Sequence, residues 1–232
     1  MSSQQFVIGR RFHGPPDSGN GGYVAGLVAQ ALGGSGCTVT LHRPPPLDRP
    51  LELRPTPQGA ALLDGEELIA SATPAELDLD TPAPPSLDEA RAAEQRYVGF
   101  HRHRFPACFV CGPQRAEGDG LRIFPGEIDR GRVVASWMPG ADLVADDGTV
   151  RTEFIWAALD CPGYFAVEEA AALALLGRMT AVVERPARVG EALIVAGWQI
   201  ESQGRKHHVG TALHDAAGRL IARARSTWIS VG

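Results

Sequence analysis

Two stretches of the chain carry apolar residues at helical spacing with few polar residues between them. The first runs from Gly22 to Leu32, where Tyr23, Leu27, Val28 and Ala31 fall on one helical repeat before Gly33-Gly34 stops it. The second, Tyr164 to Leu176, is equally apolar and ends at Gly177. A helix that is apolar on nearly all sides belongs inside a protein. Runs of strand character follow each: Thr38-Val-Thr-Leu is β-branched and alternating, and Ala192 to Ile200 is a longer example. Asp64-Gly65 and Asp215-Ala-Ala-Gly218 are hairpin signals. The pattern predicts, twice over, a strand, a buried helix and three strands joined by tight turns. An antiparallel sheet with one apolar face is what can wrap such a helix.

The two patterns are copies. Thr38, Arg43, Pro44 and Leu51 fall on Thr180, Arg185, Pro186 and Leu193 at a common offset of 142 residues. Gly22-Tyr23 falls on Gly163-Tyr164, and Ala25 on Ala166, at an offset of 141. Leu68-Ile69-Ala70 falls on Leu220-Ile221-Ala222 at an offset of 152. The second copy therefore carries about ten extra residues in a hairpin between Val195 and Arg219. Between the copies, Thr73 to Pro85 is Pro-rich and reads as a linker, and Ser86 with Glu89 predicts a capped helix over 86–96. Leu121 to Trp137 reads as two strands opening the second copy. The expected division is 1–78, a linker over 79–118, and 119–232.

Composition narrows the class without naming a chemistry. Among 232 residues, 44% are hydrophobic and 21% charged, which is ordinary for a globular protein. A net charge of −5 speaks against a general nucleic-acid binder. The first residues lack the apolar run of a signal peptide, and Glu168 and Glu169 interrupt the longest apolar stretch, so neither secretion nor a membrane span is expected. The expected setting is the cytoplasm, with Cys37, Cys108, Cys111 and Cys161 as thiols.

A helix led by Gly-Gly or Pro-Gly, a strand ending in Arg-Pro and a hairpin before Leu-Ile-Ala together resemble the hotdog superfamily. In tandem they resemble the double-hotdog acyl-CoA thioesterases, or type-II thioesterases. His13-Gly14-Pro15 with Asn20-Gly-Gly-Tyr-Val-Ala-Gly, Cys108-Phe-Val-Cys-Gly-Pro and Gly204-Arg-Lys-His-His-Val-Gly carry that resemblance. It implies an α+β fold of two antiparallel sheets, each wrapping a long apolar helix, with the copies joined edge to edge. It also implies hydrolysis of an acyl-CoA or related thioester in a tunnel between the helices, without a cofactor. Pairing of double hotdogs into a homodimer is compatible with it. Since hotdogs also host binding proteins, a non-catalytic acyl-CoA or lipid binder is the alternative. A hydratase would need a His five residues after its Asp. Gly22 follows Asp17 and Phe165 follows Asp160 at that distance, and Asp17 itself reads as a turn residue.

Thioester hydrolysis needs a base for water, a donor for the oxyanion and a site for the coenzyme A phosphates. Asp160, before Cys161-Pro162-Gly163, is the expected base; as a preferred capping residue it also reads as an N-cap. Asn20 stands at the matching step of the first helix, as a cap or as a donor to the thioester carbonyl. Thr180 lies near the step where the resemblance implies a Ser or Thr, while Ser226 stands where it implies a Gln. Gly22, Tyr23, Gly163 and Tyr164 are the expected substrate-binding residues, and Tyr23, Tyr164, Phe165 and Trp156 would set tunnel depth. Arg205 and Lys206, beside His207 and His208, are the candidate phosphate site, against which stands a solvated hairpin. His101, His103, Cys108 and Cys111 have ligand types that suit zinc, but their spacing is unlike a zinc finger's. A structural turn with no metal is the expectation.

Overall fold

The computed structural model describes residues 3–33 and 36–231. Its strands are β1 (Gln4–Val7), β2 (Gly36–Leu41), β3 (Pro50–Thr56), β4 (Gly59–Asp64), β5 (Glu67–Pro74), β6 (Gly126–Asp129), β7 (Arg132–Trp137), β8 (Ala174–Val183), β9 (Leu193–Gln203), β10 (Lys206–Asp215) and β11 (Leu220–Ser230). They form a single sheet in the order β1-β3-β4-β5-β2-β8-β11-β10-β9-β7-β6. The expectation of two sheets is thereby corrected. The copies fuse because β2 and β8 pair antiparallel, which removes two open edges. The seam is centred on a pair from the repeat: Thr38 lies opposite Thr180, with their Oγ1 atoms 2.7 Å apart. The extra residues of the second copy lengthen the β9–β10 hairpin relative to β3–β4.

The first helix, α1 (Gly21–Gln30), forms where its apolar spacing places it. Asn20 caps it, its Oδ1 accepting the Tyr23 N–H at 2.9 Å. Gly33 beyond its end takes φ +59°, a conformation that suits glycine; Gly34 lies outside the described residues.

The second helix departs from expectation. The run 164–176 is not one helix. Helix α3 (Thr152–Ala158) lies upstream of it, α4 (Cys161–Phe165) and α5 (Glu168–Ala171) follow, and Leu173 onward leads into β8. Ala172, at φ +55°, ends α5. Beyond it the buried positions Ala174 and Leu176, then Met179 and Ala181, alternate as in a strand, so a period of two replaces one of 3.6. Helix α1 packs against α3 closely enough that a Cβ on Gly26 would stand 2.5 Å from Glu153 Cα. The central core forms between these helices and the sheet.

The stretch between the copies is held against the body. Ser86 and Glu89 form the expected capping box at the start of α2 (Leu87–Glu94). Ala90 and Ala93 pack with Val134, Ile194 and Ala196, a cluster separate from the central core. Leu79 packs with Trp198 and Ala212. Farther on, Phe109 is fully buried among Phe12, Tyr23 and Phe154. No described helix is long and apolar enough to cross a membrane.

Candidate active site

A cavity of about 1020 Å³ opens beside the start of α1, with Gly21, Asn20, Asp160, Tyr164, Leu176 and Trp228 in its wall. This is at the upper end of the range usual for small-molecule pockets, about 300–1,000 Å³.

Asp160 occupies the break between α3 and α4 and is 2% exposed. Its Oδ2 accepts two hydrogen bonds, each 2.9 Å long, from the Gly22 N–H and from Asn20 Nδ2. Its Oδ1 is buried and has no hydrogen-bond partner among the described residues. Burial raises the carboxyl group's pKa to about 7; the Gly22 N–H pulls it down, Cys108 pushes it up and the Asn20 amide pulls it down. The N-cap reading of Asp160 changes accordingly. Its side chain makes no cap bond to α4 and instead satisfies a first-turn N–H of α1, across the junction of the copies.

Gly22 makes this approach possible, since a Cβ there would lie 2.5 Å from Asp160 Cβ and 2.7 Å from the Trp156 carbonyl oxygen. Asn20 is a cap, as expected. Its amide is committed to Asp160 rather than turned to a carbonyl, so it orients the acid. With the N–H groups of Gly22 and Tyr23 taken, that of Gly21 at the cavity wall remains without a protein partner among the described residues.

The other expected residues are placed unevenly. Tyr164 lines the cavity, and its hydroxyl donates to the Ala172 carbonyl at 2.7 Å. Gly163 lies against the cavity residue Trp228, for a Cβ there would stand 3.2 Å from Trp228 Nε1. Tyr23 is turned into the core, stacked on Phe12 with ring centroids 4.3 Å apart, and is not in the cavity wall. Thr180 is held by Thr38 on the seam and is also outside the wall. Arg205 and Lys206 are exposed at the end of the long β9–β10 hairpin and are not in the wall; Arg205 Nε donates to the carbonyl of Ser230, whose neighbours Ile229 and Val231 are in it. The arginines in the wall are Arg43, Arg102 and Arg104, beside His42 and His103. Arg43 also pairs with Glu67, and Arg102 with Glu168 at 3.1 Å.

Sequence reasoning missed Trp228. Its Nε1 is buried without a partner, and the residue lines the cavity. The available signal was strand periodicity: Trp228 stands two residues beyond Ser226 on β11, where a side-chain amide was expected. Ser226 is buried, with its hydroxyl unpartnered, and is not in the wall.

The architecture has close counterparts among solved structures. A TesB protein of Mycobacterium avium subsp. paratuberculosis aligns over 99% of this chain and 93% of its own, with a TM-score of 0.68 at 11% identity. A putative thioesterase of Novosphingobium aromaticivorans aligns over 100% and 96%, with a TM-score of 0.68 at 14% identity. A hot dog fold protein of unknown function from Alicyclobacillus acidocaldarius aligns over 99% and 93%, with a TM-score of 0.69 at 10% identity. The chain has the double-hotdog fold. No family model matches it, and neither does any curated protein. At identities this low the likeness concerns the fold, and the chemistry of this double hotdog has to be read from its own side chains.

Proposed function

We infer that this double hotdog hydrolyses acyl thioesters, acyl-CoA esters first among them, with Asp160 as the general base. The observation that carries this reading is the Asp160 carboxylate: one oxygen is fixed by Gly22 and Asn20, while the other is buried and unpartnered in a residue of the cavity wall. Such a group can take a proton from water, and burial brings its pKa near neutrality, where a base is most useful.

In the proposed reaction the water oxygen attacks the thioester carbonyl carbon as Asp160 Oδ1 takes a water proton. The carbonyl oxygen becomes an oxyanion, for which the Gly21 N–H and Trp228 Nε1 are the available donors. Collapse of the tetrahedral species breaks the carbon–sulfur bond. The departing thiolate recovers the proton from Asp160, leaving a carboxylic acid and a thiol. Arg43, Arg102 and Arg104 would meet the coenzyme A phosphates at the cavity wall, the role first assigned to Arg205 and Lys206.

Asp160→Asn keeps the shape and removes the base. On a panel of acyl-CoA esters it is expected to lower kcat/KM by about 10²–10⁴-fold, the usual contribution of general base catalysis. Equal rates for wild type and variant would remove Asp160 from the role. Thermal stabilisation by acyl-CoA without turnover in the wild type would replace hydrolysis with binding.

A further inference from the structure

Outside the reaction just described, the fold assembles a cluster that no single segment of the sequence contains. Cys108 and Cys111 come from the loop between α2 and β6, and Cys161 is the first residue of α4. All three are buried free cysteines, and their Sγ atoms lie within 4.8 Å of one another. The Cys108 and Cys161 sulfurs are 3.8 Å apart. A disulfide needs about 2.05 Å. A tetrahedral ion with metal–sulfur bonds of about 2.3 Å needs sulfur atoms about 3.8 Å apart.

A tight turn and a histidine frame the cluster. The turn Cys108-Phe-Val-Cys-Gly112 is closed by the Gly112 N–H, which donates to the Cys108 carbonyl at 2.9 Å and holds Cys108 and Cys111 side by side. Gly112 permits that turn, as a Cβ there would lie 2.5 Å from the Cys108 carbonyl oxygen. His103 Nδ1 accepts the Phe105 N–H at 2.9 Å, so the ring proton sits on Nε2, which faces Cys111 Sγ at 3.3 Å and donates to it. His101, the other histidine of the sequence pattern, is exposed and outside the cluster.

We propose that Cys108, Cys111 and Cys161 bind one soft divalent cation, zinc in the first instance, with His103 as a hydrogen-bond donor to the Cys111 thiolate. The ion would tie the loop between the copies to the first residue of α4, immediately after Asp160. All three cysteines are in the cavity wall, so the fourth coordination position would fall to water. The sequence alone favoured a metal-free turn because His101, His103, Cys108 and Cys111 are not spaced like a zinc finger's ligands; Cys161, 50 residues from Cys111, joins the cluster only through folding.

The test uses the full chain purified under reducing conditions after growth with added zinc. Elemental analysis should find about one zinc per chain. Cobalt added to the stripped protein should produce a thiolate-to-metal charge-transfer band in the near ultraviolet. Cys161→Ser and Cys111→Ser should lose both signals, His101→Ala should keep both, and stripping zinc from the wild type should lower its melting temperature. Less than roughly a tenth of an ion per chain with no cobalt band in the wild type would overturn the site. So would a disulfide between any two of the three cysteines, seen as a mass lower by two hydrogen atoms in protein purified without reductant. The wild-type readouts hold even if a serine variant fails to fold. None depends on hydrolysis, so the ion site and the proposed reaction can fail separately.

Discussion

The two copies begin their matching helical segments on residues of nearly the same shape and opposite chemistry. Asn20 precedes α1, and Asp160 precedes α4. The amide of one donates to the carboxylate of the other at 2.9 Å. Two aspartates at this distance could not both ionise readily, and two asparagines would offer no base. Duplication followed by divergence solves this. One copy keeps the acid, and the other supplies the cap, the glycine and the N–H groups that hold it. The site therefore belongs to neither lobe alone.

If that division is right, equivalent glycines should differ in cost. Gly22 and Gly163 match in the repeat. A Cβ on Gly22 meets Asp160 Cβ at 2.5 Å and a backbone oxygen at 2.7 Å, whereas one on Gly163 meets only side chains, Val209 Cγ2 at 2.7 Å first among them. Gly22→Ala is expected to cost about 1–3 kcal/mol by overpacking and to lower kcat/KM by at least about tenfold through a displaced Asp160. Gly163→Ala should cost less in both. Chemical denaturation and acyl-CoA kinetics on the pair decide it, and equal losses would end the claim that the first copy is the holder.

A second pair contrasts the arginines Arg43 and Arg185. Arg43 meets Glu67 at 2.6 Å on the surface, with side chains 60% and 49% exposed. Arg185 meets Asp215 at 2.7 Å, where the acid is only 5% exposed and also receives Arg219 Nε and the N–H groups of Ala217 and Arg219. Burial pushes the Asp215 carboxyl upward, but these donors outweigh it and hold its pKa below the usual value. A depressed folded pKa gives stability that is present above the unfolded value, about 3.9, and is lost as pH falls through the folded one. Asp215→Asn should thus be less stable than wild type by about 1–3 kcal/mol near neutrality. The gap should close below roughly pH 4. Glu67→Gln should shift stability little, as exposed pairs do. Melting curves from acid to neutral pH would show whether the gap closes on the acid side.

How far all this was legible depends on the range over which each feature is specified. The α1 cap, the Ser86–Glu89 box and the hairpins at Asp64 and Asp215 are local, and the residues that make them are neighbours in sequence. The second helix was misplaced because Ala-Leu-Ala-Leu-Leu over 172–176 satisfies both a helical and a strand pattern; β8 pairing with β2 and β11 decides the matter. Asp160 could be singled out from its place before Cys-Pro-Gly. Its partners, Asn20 and Gly22, are about 140 residues away, and nothing local announces them. The same holds for Trp228 and for Cys161 with Cys108. The basic residues of the cavity wall, by contrast, include two short clusters, His42-Arg43 and Arg102-His103-Arg104, that nothing in the sequence sets apart from the exposed cluster at Arg205 and Lys206.

The smallest expected effect tests whether the seam is as symmetric as the repeat implies. Thr38 and Thr180 are half-buried, occupy equivalent steps and bond only across the β2–β8 junction. Replacing either by Val preserves shape and strand preference but leaves the other hydroxyl without its partner, so each single change should cost about 0.5–1.5 kcal/mol. The double change removes both hydroxyls at once and should cost less than the sum, with a coupling of about 0.5–1 kcal/mol. A two-fold seam requires the single changes to be equal within error, while Asp160-dependent hydrolysis stays unaltered because neither threonine is in the cavity wall. Unequal costs would mean that divergence has reached the seam itself. A loss of hydrolysis would return Thr180 to the catalytic role that its position near the expected Ser or Thr first suggested.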